Sequence, residues 1–133
     1  MSTPDAHELA ITLYEERLKN DAWALRELMH REAVWELVGA MEDGSPVTGG
    51  GSPREMAEFI ERVLEIWKWI TFDLDQVISD GNRIACYYRV TVEHIPSGKR
   101  IRTQGAEFFT MESGFIKKVV SFTDPALARL NAG

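Results

Sequence analysis

The run Arg83-Ile84-Ala85-Cys86-Tyr87-Tyr88-Arg89-Val90-Thr91-Val92-Glu93-His94-Ile95 alternates along almost its whole length. Ile84, Cys86, Tyr88, Val90 and Val92 share one parity, and Ala85, Tyr87, Arg89, Thr91 and Glu93 share the other. Successive side chains of a strand point to opposite faces, so the segment predicts a strand whose more apolar face is opposite Arg89. Pro96-Ser97-Gly98 ends it. Further runs rich in β-branched and aromatic residues lie at about 69–78, 99–111 and 115–123, set apart by Asp80-Gly81-Asn82 and Glu112-Ser113-Gly114. Short connections of this kind join antiparallel neighbours, so the C-terminal half is predicted to be a four-strand meander.

Upstream of the meander the period changes. Ser52-Pro53-Arg54-Glu55 places a capping serine, a proline at the first helical position and a glutamate three residues after the cap, the order of a capping box. Behind it Met56, Phe59, Ile60, Val63, Leu64 and Trp67 make a continuous apolar face. Leu9, Ala10, Leu13, Tyr14 and Leu18 predict an amphipathic helix over about 5–19 with Tyr14 facing inward. Asn20-Asp21 caps a second short helix carrying Leu25, Leu28 and Met29, after which Ala33-Val34-Trp35-Glu36-Leu37-Val38 switches to strand formers. Residues 39–51 hold five glycines and Pro46, which predicts a loop with a flexible Gly49-Gly50-Gly51 tip. Pro125 closes the last strand, and 126–130 suits one more turn of helix.

The expected architecture is α+β, with three helices laid on one face of a curved antiparallel sheet. Both faces of the strands carry apolar residues, so the uncovered face would be an exposed patch, and a homodimer through that open face is expected. The 133 residues suit a single domain spanning 1–133. Hydrophobic residues at 44% and charged residues at 27% are an ordinary globular balance. The net charge of −6 is dispersed and no Lys/Arg cluster stands out, which argues against nucleic acid as a partner. Met1-Ser2-Thr3-Pro4-Asp5 is polar, and no stretch approaches the roughly 20 apolar residues of a membrane span; a cytoplasmic protein without a membrane partner is expected. His7, His30 and His94 share no zinc-site spacing, and the single Cys86 sits in a strand as a buried thiol. Neither a metal nor any other cofactor is expected.

The order helix, helix, strand, glycine-rich loop, capped helix, meander resembles the nuclear transport factor 2-like superfamily, in its SnoaL-like and ketosteroid-isomerase-like branch. Ala33-Val34-Trp35-Glu36-Leu37 resembles that family's first strand. Residues Ala106-Glu107-Phe108-Phe109-Thr110-Met111-Glu112-Ser113-Gly114-Phe115-Ile116 resemble its final hairpin, and Ser121-Phe122-Thr123-Asp124 its close. The resemblance implies a cone-like sheet enclosing an apolar cavity for a small hydrophobic molecule.

It also implies site residues. Tyr14 and Glu107 match the tyrosine and the carboxylic acid that form the oxyanion hole of ketosteroid isomerase. That enzyme's general-base aspartate matches Leu37, which moves no proton, and Glu36 beside it points to the opposite face. Against limonene epoxide hydrolase, Arg89 matches the arginine, but Thr91 and Ser121 stand at the two aspartate positions and leave no carboxylate there. Polyketide cyclases of the SnoaL type need one cavity acid–base group, and Glu107 could serve. The resemblance thus implies a cofactor-free isomerase or cyclase-like lyase with Glu107 and Tyr14 as catalytic groups. Trp35, Leu37, Trp67, Arg89, Phe109 and Ser121 would contact the ligand. Two parities stay open from the residues themselves. Gly105, Glu107, Phe109 and Met111 are hardly more apolar than Ala106, Phe108, Thr110 and Glu112, and alternation turns Arg89 outward whereas the family register turns it in. With both better-defined catalytic sets broken, a non-catalytic binding or assembly domain is the other reading.

Overall fold

The computed structural model describes residues 5–41 and 43–132. The polar opening Met1 to Pro4 therefore lies outside the described residues. Ten elements follow in order: α1 (Ala6–Lys19), α2 (Ala22–Glu27), β1 (Met29–Val38), β2 (Val47–Gly50), α3 (Pro53–Ile66), β3 (Trp67–Asp80), β4 (Arg83–His94), β5 (Lys99–Glu112), β6 (Phe115–Phe122) and α4 (Pro125–Ala132). One six-stranded sheet has the order β2-β1-β6-β5-β4-β3.

The meander β3–β6 is antiparallel throughout. The sheet as a whole is mixed, because β1 runs parallel to β6. That pair joins strands separated by α3 and four other strands, a non-local pairing with no turn residues to signal it. Register shifts interrupt β1, β3 and the β5–β6 ladder. Bulges of this kind bend strands and raise local twist, and they curve the sheet around its inner face. The architecture is α+β, a curved unclosed sheet with four helices rather than the three expected.

Helix starts follow the sequence. Asp5, Asp21 and Ser52 accept from the backbone N–H three residues ahead, at 2.7, 3.1 and 3.2 Å. On α1 the inward stripe is Leu9, Ala10, Leu13, Tyr14 and then Arg17, whereas Leu18 is exposed. Helix α3 seats Met56, Phe59, Ile60 and Leu64 in the core and passes without a turn into β3.

Two expectations are corrected here. Met29 belongs to β1, not to the second helix, whose last residue is Glu27. The glycine run is not a loose tip: Val47–Gly50 is an edge strand paired to Val34–Leu37. A Cβ on Gly49 would fall 2.1 Å from the Phe59 ring, and one on Gly50, at φ +102°, would fall 2.2 Å from the Ala33 carbonyl oxygen. These glycines let α3 approach the sheet backbone.

Candidate functional site

The inner face of the sheet is the even parity of β4 and the odd parity of β5. Ile84, Cys86, Tyr88, Val90 and Val92 are buried on one, and Gly105, Glu107, Phe109 and Met111 on the other. Between this face, α1, α3 and α4 lies a cavity of about 200 Å³. Trp35, Leu37, Trp69 and Tyr88 line its apolar wall, with Glu107, Ser121 and Arg17 as its buried polar side chains. At the rim Trp67 packs on His94, with ring centroids 4.9 Å apart, and Leu127, Ala128 and Asn131 of α4 border the same space. Helix α4 is held there by Asn131 Oδ1 at 3.2 Å from His94 Nε2 and by Thr103 Oγ1 donating to Asp124 at 2.8 Å.

Three strands bring the polar groups together. Ser121 on β6 stands opposite both Leu37 on β1 and Glu107 on β5. The Trp35 indole N–H donates to Ser121 Oγ at 2.9 Å, and Ser121 donates to Glu107 Oε2 at 2.5 Å. The direction of this relay is fixed by chemistry. An indole nitrogen only donates, so the serine oxygen accepts from it, and with Glu107 ionised the serine's single hydrogen goes to Oε2. Glu107 Oε1 and the Tyr14 hydroxyl are both buried, and neither completes a full hydrogen bond among the described residues, although the two groups lie close enough to influence each other. With Oε2 engaged by Ser121, Oε1 is the carboxyl oxygen left free to meet a ligand.

Electrostatics agree with this assignment. Glu107 is 3% exposed, and burial raises its carboxyl above the ordinary value, against the Ser121 hydrogen bond, the nearby Tyr14 hydroxyl and the Arg17 charge, which lower it. Tyr14 is raised by burial first and by the Glu107 charge second, so its phenol stays neutral and keeps its hydrogen to donate. Its ring is held by Phe72 at 4.5 Å, Tyr88 at 5.7 Å and Phe109 edge-on at 6.0 Å. The Cys86 thiol, across from Glu107, is pushed up to about 11 by burial and is a poor nucleophile at neutral pH.

The structure brings Glu107, Tyr14, Trp35, Leu37, Trp67 and Ser121 to or beside the cavity. Of these Tyr14 does not line the cavity itself: it is buried in the core near Glu107. The structure does not bring Arg89. That side chain lies on the outer face, half exposed, paired to Asp75 at 3.0 Å, and Thr91 on the same face meets Arg102 at 3.3 Å. The alternation of β4 decides the point, and the register inferred from epoxide hydrolases is corrected. Phe109 is also displaced from its expected role: it is fully buried behind Tyr14 and supports that ring rather than lining the cavity. Arg17 was missed. It lies one helical turn after Tyr14, so the α1 spacing carried the signal, but a charged residue was not counted in an apolar stripe. Among the described residues no three His, Cys, Asp or Glu side chains converge as metal ligands, and no helix is long and apolar enough to cross a membrane.

Comparison with known proteins places this geometry. The family model described as a SnoaL-like domain matches residues 11–119. A proposed isomerase from Bacillus subtilis superposes with a TM-score of 0.80 at 19% identity, covering 94% of this chain and 90% of that one. A proposed polyketide cyclase from Pseudomonas putida gives 0.72 at 17% identity, covering 91% and 92%. An LEH-like epoxide hydrolase of M. tuberculosis gives 0.71 at 14% identity, covering 94% and 86%. At such identities these structures establish a shared fold, and no curated protein matches the chain.

Proposed function

Because the chain belongs to the SnoaL-like domain family, we propose that its cavity binds a small hydrophobic carbonyl-bearing molecule and moves a proton on it, as isomerases and cyclases of this fold do. The observation that carries the reading is the buried Glu107 Oε1 at the wall of an apolar cavity, with the buried Tyr14 hydroxyl near it and neither oxygen completing a full hydrogen bond. Buried polar atoms are nearly always satisfied, so an incompletely bonded carboxyl at the cavity wall, backed by a neutral phenol, suits a ligand's carbonyl group. In the forward step Glu107 Oε1, ionised, takes the proton α to the carbonyl. The C–H bond breaks, an O–H bond forms on Oε1, and the electron pair moves to the carbonyl oxygen as an enolate. Tyr14 donates a hydrogen bond to that oxygen. Return of the proton to another carbon isomerises the ligand; attack of the enolate carbon on a second carbonyl closes a ring. A raised carboxyl is the stronger base for this work and delivers the proton back more readily.

Binding is tested by thermal unfolding with a panel of flat polycyclic ketones and phenols. Ligand at 100 times its dissociation constant stabilises by about 2.7 kcal/mol. Tyr14→Phe and Glu107→Gln should each weaken the shift; no shift across the panel in the wild type would favour a non-catalytic assembly domain.

We further propose that the open outer face of the sheet pairs two copies of the chain. Phe108 and Phe122 on adjacent strands are exposed with their rings edge-to-face at 5.7 Å. The same face carries charges of both signs, in Arg89–Asp75 and Arg102–Asp73, which a two-fold axis can match against themselves. Sedimentation equilibrium should show a dimer that Phe108→Lys converts to a monomer; a monomeric wild type contradicts the pairing.

A further inference from the structure

Arg17 is the cavity group that proton transfer leaves unused. It is 7% exposed, lines the cavity with Glu107, and its guanidinium carbon sits 5.0 Å from the centre of the Trp69 ring. Among the described residues no carboxylate oxygen lies within the 4.0 Å of an ion pair, and its nitrogens make no hydrogen bond. Buried cations are ordinarily paired, because desolvation is costly, and a guanidinium cannot escape that cost by losing its proton. Burial pushes Arg17 down to about 10, which leaves it charged at neutral pH.

Neither neighbour pairs with it directly. Trp69 offers the face of a ring, which attracts a cation but accepts no hydrogen bond in its plane. Glu107 commits Oε2 to Ser121, and when ionised it favours the Arg17 charge only from beyond the 4.0 Å of an ion pair. The cavity then holds one buried cation, Arg17, beside the Glu107 carboxyl and largely apolar walls, the other lining arginine, Arg62, being exposed to solvent. A ligand that satisfies all of these carries an anionic group as well as a carbonyl.

Resting on the carbonyl-site reading, we infer that the ligand is a hydrophobic oxo acid. Its carboxylate pairs with Arg17, its ring lies against Trp35 and Trp69, and its carbonyl meets Tyr14 and Glu107. The planar fork of a guanidinium matches a carboxylate in two parallel hydrogen bonds, which a lysine could not reproduce.

The test compares naphthoate, its methyl ester and acetonaphthone at pH 7 by calorimetry and thermal shift, with wild type and Arg17→Met. Methionine keeps an unbranched apolar stem at the Trp69 face and removes only the charge. Naphthoate should bind wild type at least about tenfold more tightly than its ester. Arg17→Met should abolish that advantage while ester and ketone keep their wild-type affinities. Equal affinity of acid and ester in the wild type overturns the inference, and would mean that an ionised Glu107 neutralises Arg17 at a distance. An acid preference that persists in Arg17→Met overturns it too. Binding of the ketone with no preference for the acid sinks this inference alone; binding of none of the three sinks the carbonyl-site reading with it. Should Arg17→Met fail to fold, the wild-type acid-to-ester ratio still decides.

Discussion

In Glu107→Gln, exchange of a bound ketone's α-proton with deuterated solvent should slow by about 100-fold or more, the usual worth of a positioned acid–base group. The fold and the cavity should survive. An amide oxygen can still accept from Ser121, so the relay from Trp35 keeps its geometry, and the amide nitrogen takes the place of Oε1. What is lost is an atom that can gain and release a proton. Undiminished exchange in this variant would remove Glu107 from the chemistry. The substitution has a second consequence, in stability. Because burial raises the Glu107 carboxyl above 4.5, the native chain holds this proton more tightly than the unfolded one. Its contribution to stability is full below the unfolded value, and it fades as pH rises through the raised folded value. Denaturant titrations of Glu107→Gln should lack that decline.

Gly49→Val should destabilise the protein by about 3 kcal/mol, at the upper end of overpacking costs, and lower its melting temperature by roughly 10 °C. The new side chain has nowhere to go. Its Cβ alone would stand 2.1 Å from the Phe59 ring, so α3 must lift from β1 and β2, and with it Phe59 and Ile60, which wall the cavity. Gly44 is the control for space: a Cβ there meets nothing within 4 Å, so Gly44→Ala should cost only the backbone strain of its φ of +82°, a strain absent at Gly49. Were Gly49 the tip of a loose loop, its substitution would fall within about 0.5 kcal/mol of neutral. Near-neutral Gly49→Val would contradict the seating of α3 on β2.

Those glycines also show where sequence reading stops. Alternation in β4 and the Ser52 cap were legible because each is local: one needs only a period of two, the other four consecutive residues. The meander was legible for the same reason, since short turns specify neighbouring strands. The parallel β1–β6 pair was not, because it joins residues more than 80 positions apart and no turn marks it. Three glycines in a row read as freedom when no neighbour is in view; with Phe59 and Ala33 in place they are a requirement for close approach.

The site divides along the same line. Tyr14, Glu107 and Ser121 could be named from resemblance to ketosteroid isomerase and epoxide hydrolase, yet the parity of Glu107 could not be read from β5, whose two faces are similarly apolar. The opposite case is Arg89, where local alternation outweighed family register and the structure sides with alternation. Arg17 fell between the two methods. It belongs to no motif, and a buried charge runs against the pattern by which an inward helix face is recognised. Only the packing of α1 on Trp69 brings it inside.

The most direct test of the account is the protonation of Glu107 itself, followed by the carboxyl carbon signal of glutamate-labelled protein across pH, with Glu107→Gln to assign it. The expected result is a midpoint clearly above the ordinary 4.5, shifting when a ketone or oxo acid fills the cavity. A midpoint at or below 4.5, unmoved by ligand, would mean that Arg17 holds Glu107 permanently ionised as a structural charge. The cavity would then have no group with which to move a proton.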